Sequence, residues 1–175
     1  MYKTKQSLDT FWFLLQACRI LLEAVKSGDV NTAKILVNCT KDSCTYDGTT
    51  FNTPLIYAAA NGHVEVVRVL LEGGASAERT NVNQWTALHE AAEYGYLEVC
   101  RLLLDWGAKV DPLDIWRNTP LHYAARSGHL SVVKLLVERG ADVRLKNKYG
   151  QTAREIARST RNKDVADWLD SVSRW

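Results

Sequence analysis

The residues best equipped for chemistry in this chain are four histidines, His63, His89, His122 and His129, and four cysteines, Cys18, Cys39, Cys44 and Cys100. A nucleophile needs a base within reach and a third group to orient that base, and a zinc site needs N and S ligands at short characteristic spacings. Neither pattern is present. The cysteines form no CxxC pair and have no histidine at ligand spacing, and the chain lacks HExxH, GxGxxG, a P-loop and any Ser/His/Asp grouping. No catalytic, cofactor-binding or metal-binding residue is expected. Cys100 falls on an apolar helix face and is expected in the core. Cys39 and Cys44 could meet across a loop in a secreted protein, but free thiols in a reducing cytosol are the expectation.

The elements that hold these residues repeat. Thr53, Thr86, Thr119 and Thr152 lie 33 residues apart, as do Gly62, Gly95 and Gly128. All four histidines occupy places in this period. A fixed long period means one small unit stacked on copies of itself. Within the unit, Thr119 can cap a helix with its hydroxyl and Pro120 suits the first helical position, where no N–H is needed. Leu121, Ala124 and Ala125 give that helix an apolar stripe with small residues, and Gly128 can end it in a left-handed conformation. Leu130, Val133, Leu135, Leu136 and Val137 recur at the spacing of a second helix, closed by Gly140 and Ala141. One such pair has a core with only one side, so stability requires stacking.

Thr53-Pro54-Leu55, Thr86-Ala87-Leu88-His89 and Thr119-Pro120-Leu121-His122, each followed by an Ala pair, a Gly and a Val/Leu-rich helix, make the chain resemble the ankyrin-repeat proteins. Three full repeats and two altered ends cover about nine tenths of the chain. The resemblance implies an all-α solenoid of about five helix-turn-helix repeats joined by β-turn or hairpin loops. It also implies a structural hydrogen-bonding role for His89 and His122, and a concave groove, formed by turn tips and first helices, where partners bind.

On this basis residues 1–19 form an N-terminal helical extension covering the open end, and 20–47 a divergent first repeat. Residues 48–80, 81–113 and 114–146 form repeats two to four, and 147–175 a C-terminal capping repeat. Ser7 could cap a helix from about Leu8 to Lys26, and Asp29 to Asn38 a second one. In the last repeat Arg154 stands where the others have Leu, and Arg158, Ser159, Thr160 and Arg161 follow, as an outer face in water requires. Val165, Trp168 and Leu169 are expected inside. The family usually carries Gly two residues before the Thr, but Phe51, Gln84 and Arg117 occupy that place and only Gly150 conforms, which leaves the turn geometry open.

Charge divides unevenly. Residues 1–113 hold 10 basic and 13 acidic side chains, and 114–175 hold 12 and 7, so the two parts carry −3 and +5. That polarity falls short of a nucleic-acid-binding tail. An alternative remains in which the basic half, through Arg126, Arg144, Lys146, Lys148, Arg154, Arg158 and Arg161, binds nucleic acid or an acidic surface. The N-terminal apolar run is short and broken by Asp9 and Gln16, so neither export nor a membrane span is expected.

Function is therefore sought on the surface, in a non-enzymatic module of the cytosol or nucleus, monomeric, that binds a protein or peptide as adaptor, scaffold or inhibitor. Period-matched groove positions include Thr49, Thr50, Trp85, Glu93, Tyr94, Ile115, Trp116, Arg126, Lys148 and Tyr149, with Tyr57, Glu90 and Tyr123 partly exposed on the same helices. Trp85, Tyr94, Trp116 and Tyr149 would supply binding energy, and Glu90, Glu93, Arg126 and Lys148 charge complementarity. Trp85 or Trp116 could instead pack on the next turn. A further alternative is a regulatory portion of a larger enzyme or channel.

Overall fold

The computed structural model describes residues 2–40 and 51–172, with the backbone alone for 2–11, 14 and 38–40. Among these, ten helices follow one another: α1 (Tyr2–Ser27), α2 (Val30–Thr40), α3 (Pro54–Ala60), α4 (Val64–Glu72), α5 (Ala87–Tyr94), α6 (Leu97–Asp105), α7 (Pro120–Ser127), α8 (Leu130–Glu138), α9 (Ala153–Ser159) and α10 (Lys163–Val172). The odd-numbered helices pack in sequence as one layer and the even-numbered ones as a second, and each odd helix also packs on the even helix that follows it. The result is an all-α repeat solenoid. Its core runs through every repeat, with Leu55, Leu88 and Leu121 at equivalent places and each 1–2% exposed.

The helix starts follow from the threonines. Thr53 Oγ1 accepts from Ile56 N at 3.2 Å, and Thr86, Thr119 and Thr152 each form a reciprocal capping box. The box uses histidine in two repeats: Thr86 N donates to His89 Nδ1 at 3.1 Å, and Thr119 N to His122 Nδ1 at 3.1 Å. With Nδ1 accepting, the proton sits on Nε2, which donates to the next turn at Asn118 O and Gln151 O, 3.2 Å each. His129 Nε2 binds Glu93 O at 3.1 Å across the preceding helix end. That approach needs Gly95, since a Cβ there would lie 2.5 Å from His129 Nδ1. His63 does the same for Lys26 O at 3.1 Å. Every histidine is thus occupied in stacking.

The open question of the turns resolves in favour of retained geometry. Phe51, Gln84 and Arg117 adopt φ of 55°, 60° and 61°, beside 75° at Gly150. The turn forces the conformation on non-glycine residues because its hydrogen bonds are otherwise complete. Asn81 N donates to Trp85 O and Gln84 N to Asn81 O, and the same pair of bonds recurs at Asp114 and at Asn147.

The two ends differ. At the C-terminal end Arg154 and Arg158 stand where inner repeats bury Leu and Ala, and both pair with Asp170, at 3.1 and 2.6 Å. Polar partners thereby replace the next repeat. Trp168 is half-buried against the core. At the other end α1 is one uninterrupted helix that starts at Tyr2, so Ser7 lies within it rather than at its cap. Asp29 caps α2 instead, accepting from Asn31 N and Thr32 N. Among the described residues, an apolar side chain of the first repeat stays open to solvent. Ile35 remains 74% exposed while its counterparts Val69, Leu102 and Leu135 are 5%, 7% and 3% exposed.

The cysteines depart from expectation at one place. Cys100 is free and buried, and burial pushes its thiol up to about 12, which leaves it inert. Cys18, however, is disulfide-bonded rather than a free thiol. The side chains of Cys39 and Cys44, and the groove positions Thr49 and Thr50, lie outside the described residues.

Candidate functional site

Three turns project beyond the odd-numbered helices, and one residue in each builds it. Asn81 Oδ1 accepts from the backbone N of Asn83 and Trp85, Asp114 Oδ1 from Trp116 and Asn118, and Asn147 Oδ1 from Tyr149 and Gln151. The tips are then joined by Ile115 N donating to Asn83 O at 3.2 Å and Lys148 N to Trp116 O at 2.9 Å. This makes a continuous rim. Along it Val82, Ile115 and Tyr149 are 52%, 44% and 66% exposed, and Lys148 lies 5.6 Å over the Tyr149 ring.

Beneath the rim, the second arm of each turn residue reaches back one repeat. Asn81 Nδ2 donates to Asn52 Oδ1 and Asn147 Nδ2 to Asn118 Oδ1, whereas at the middle junction Trp85 Nε1 donates to Asp114 Oδ2 at 3.2 Å. Asp114 also accepts from Tyr123 OH at 2.5 Å. The Trp85 ring is half-buried, 4.4 Å from Tyr123 and stacked 6.0 Å from His89. Tyr123 is 3% exposed, a correction to its expected partial exposure. Burial and the bond to Asp114 raise its pKa. Trp85 and Tyr123 are therefore walls of the site before they are contacts.

The odd-helix stripe carries the charges. Arg126 pairs with Glu93 at 2.7 Å and lies 4.7 Å over Tyr123, and Lys26 pairs with Glu23 at 3.7 Å and lies 5.0 Å over Tyr57. The Glu90 carboxylate, between these two groups, makes no hydrogen bond or ion pair among the described residues. Burial, and then the charge of Glu93, raise its pKa to about 7. The second oxygen of Glu93 is buried and without a partner.

Rim and stripe enclose a cleft of about 220 Å³ between the last two repeats, lined among others by Tyr123, Arg126, Tyr149, Ile156 and Thr160. That volume admits one side chain of a partner. A larger hollow of about 410 Å³ is lined, among the described residues, by α1 side chains including Trp12, Leu15, Cys18, Arg19 and Leu22.

Of the expected site residues, the structure brings Trp85, Tyr123 and Arg126 together and adds Tyr149 through the cleft. Ile115 and Tyr149 sit on the rim, Trp116 is half-buried beneath it, and Tyr94, 55% exposed, lies 6.1 Å from Tyr96 at the far end of α5. Sequence reasoning missed Asp114, 3% exposed and bonded to both rings. Its signal was present, because it stands one period from Asn81 and Asn147 where an amide is otherwise used. Of the seven basic residues of the alternative nucleic-acid face, Arg126, Arg144, Arg154 and Arg158 are paired with carboxylates. Among the described residues there is no group of three potential metal ligands. No described helix is long and apolar enough to cross a membrane.

Comparison with known proteins agrees with this architecture. Residues 21–114 match a model described as "Ankyrin repeats (3 copies)" and 107–157 one described as "Ankyrin repeats (many copies)". An Arabidopsis thaliana E3 ubiquitin-protein ligase, XBAT33, is 42% identical over 74 residues, 41% of this chain and 14% of that protein. A probable E3 ubiquitin-protein ligase of Oryza sativa, XBOS32, is 39% identical over the same shares of the two chains. Alpha-latrotoxin-Lh1a of Latrodectus hasselti is 35% identical over 42% of this chain and 5% of its own. The match thus spans a small part of each relative. Repeats of this kind are non-catalytic protein-interaction modules, and by the extent of the matched segments the chain belongs to the ankyrin-repeat family.

Proposed function

We propose that this chain captures a protein partner along the groove between the turn rim and the odd-numbered helices, without catalysing a reaction. The observation that carries this reading is the side-chain-sized cleft bounded by Tyr149 on the rim and by Tyr123 and Ile156 on the helices. Exposed aromatic and aliphatic side chains beside a rigid pocket are the usual source of interface energy. Ile115 and Tyr149 supply direct contacts, and Trp85, Trp116 and Tyr123 hold the wall behind them. Photo-crosslinking tests the reading. A benzophenone amino acid at position 149 or 115 should link a partner that the same probe at Arg101, exposed on α6, does not. Equal labelling from both faces removes the groove.

A second reading is favoured by the relatives named as ubiquitin ligases. In it the repeats form the partner-selecting portion of a larger protein. Long-read transcript sequencing decides it, since a reading frame confined to these repeats excludes the idea.

A further inference from the structure

The odd-helix stripe holds its cations in one recurring way. Lys26 lies between Glu23 of its own helix, 3.7 Å away, and the Tyr57 ring of the following repeat, 5.0 Å away. Arg126 lies between Glu93 of the preceding repeat, 2.7 Å away, and the Tyr123 ring of its own helix, 4.7 Å away. In both cases a carboxylate and a tyrosine face hold one positive charge, an arrangement in which ion pairing and cation–π attraction act on the same group.

Glu90 lies on this stripe one period from Tyr57 and one from Tyr123, on a helix packed against those of both. Its carboxylate has no cation among the described residues. The sequence shows why. The place that carries Lys26 in the first repeat and Arg126 in the fourth is Ala60 in the second, directly before the Glu90 repeat. A methyl group stands where a basic side chain would reach forward to Glu90 as Lys26 reaches Tyr57.

From this juxtaposition we propose that the groove recognises a partner segment bearing a Lys or Arg side chain, which enters beside Ala60 and sits on Glu90 between Tyr57 and Tyr123. The proposal rests on the groove-binding reading above and specifies its chemistry. Glu93 is already paired with Arg126, so Glu90 is left as the unbalanced carboxylate of this part of the face, and a guest cation balances it. A neutral or acidic guest does not.

The test uses a displayed library of random twelve-residue peptides selected on the full chain. Selected peptides should share one basic position, and replacing it with Ala or Gln should weaken binding at least tenfold. Glu90→Gln should cause the same loss. Ala60→Lys should also cause it, by supplying the cation internally. Glu98→Gln, on the exposed α6 face, should leave affinity unchanged. Both substitutions cancel the unbalanced charge of the seat, one by removing the carboxylate and the other by pairing it from a different helix, so a folding defect in one does not imitate the pattern. Peptides without a shared basic position, or with affinity indifferent to both substitutions, overturn the proposal. If such peptides still lose affinity with Tyr149→Ala, the groove reading stands and only the cation seat falls. Peptides indifferent to Tyr149→Ala and Ile115→Ala as well, or no selected peptide at all, remove both.

Discussion

Trp85 and Asp114 are 29 residues apart in the chain and joined by a hydrogen bond from the indole Nε1 to a carboxylate oxygen at 3.2 Å. At the junctions on either side the same two places are Asn52 with Asn81 and Asn118 with Asn147, each joined amide to amide. The exchange is chemically paired. An amide can donate backward to an amide oxygen, but a carboxylate can only accept, so its partner one repeat back must be a donor. Trp85 meets that requirement and brings a ring that closes over Tyr123.

Asp114→Asn should therefore destabilise the fold although it matches the neighbouring repeats. If the oxygen of the new amide keeps the two turn bonds, as at Asn81 and Asn147, its NH2 group faces Trp85 Nε1 and leaves that donor without an acceptor. A buried donor left without an acceptor costs about 1–3 kcal/mol. Urea unfolding should show a loss of that size. Trp85→Ala should also lower the melting temperature, unlike Tyr149→Ala on the exposed rim. A double-mutant cycle of Trp85→Phe with Asp114→Asn should give coupling of about 0.5 kcal/mol or more. Additive losses would show that the bond does not fix the junction.

The left-handed turn residues lead to a second expectation. Gln84 and Arg117 are held at φ 60° and 61° with exposed side chains. That conformation costs an L-residue roughly 1–2 kcal/mol, offset in part by the roughly 0.5–1 kcal/mol of extra backbone freedom glycine has when unfolded. Gln84→Gly with Arg117→Gly should raise the melting temperature by a few degrees, and Gly150→Arg should lower it. A double glycine variant that melts earlier would mean these side chains stabilise the turns in place.

These cases show what the sequence displayed. Thr53 to Thr152 and Gly62 to Gly128 recur because each repeat needs the same cap and the same stop, and such local requirements are visible one residue at a time. The Trp85 wall was not visible in that way. Its meaning depends on Asp114 in another repeat, and only the pairing of donors with acceptors across the junction distinguishes a packing tryptophan from an exposed one. Tyr123 was misjudged for the same reason, since Trp85 and Asp114 are what bury it. Ile35 carries the opposite lesson. Its apolar character follows the period faithfully, but no preceding repeat among the described residues covers it.

Thiol content provides a third check. Four cysteines less the pair that includes Cys18 leave two free thiols in the unfolded, unreduced protein. Cys100 should react only on unfolding, because its thiol is buried and held far above neutral pH. Two reactive thiols would speak for an oxidising compartment and against the cytosolic expectation. Four would return Cys18 to the reduced state and restore that expectation.

The adjacent residues His89 and Glu90 should give stability opposite dependences on pH. His89, buried, has its pKa lowered from 6.5 to about 4, so between those values the unfolded chain binds more protons. Its contribution is present above 6.5 and is lost as pH falls toward 4. Glu90 has its pKa raised from 4.5 to about 7, first by burial and then by the charge of Glu93, so in its interval the folded chain binds more protons. Its contribution is present below 4.5 and is lost as pH rises through 7. Glu90→Gln should therefore match or trail the parent near pH 4.5 and gain on it toward pH 8, by about 1 kcal/mol once the water still reaching the side chain is allowed for. His89→Gln should lower stability overall, by breaking the capping box and the bond to Asn118, while flattening the decline between pH 6.5 and 4. Urea unfolding at half-unit steps from pH 4 to 8 separates the two through slope rather than level. If the Glu90→Gln curve runs parallel to the parent, Glu90 is ionised in the native groove at pH 5, and its charge is already balanced.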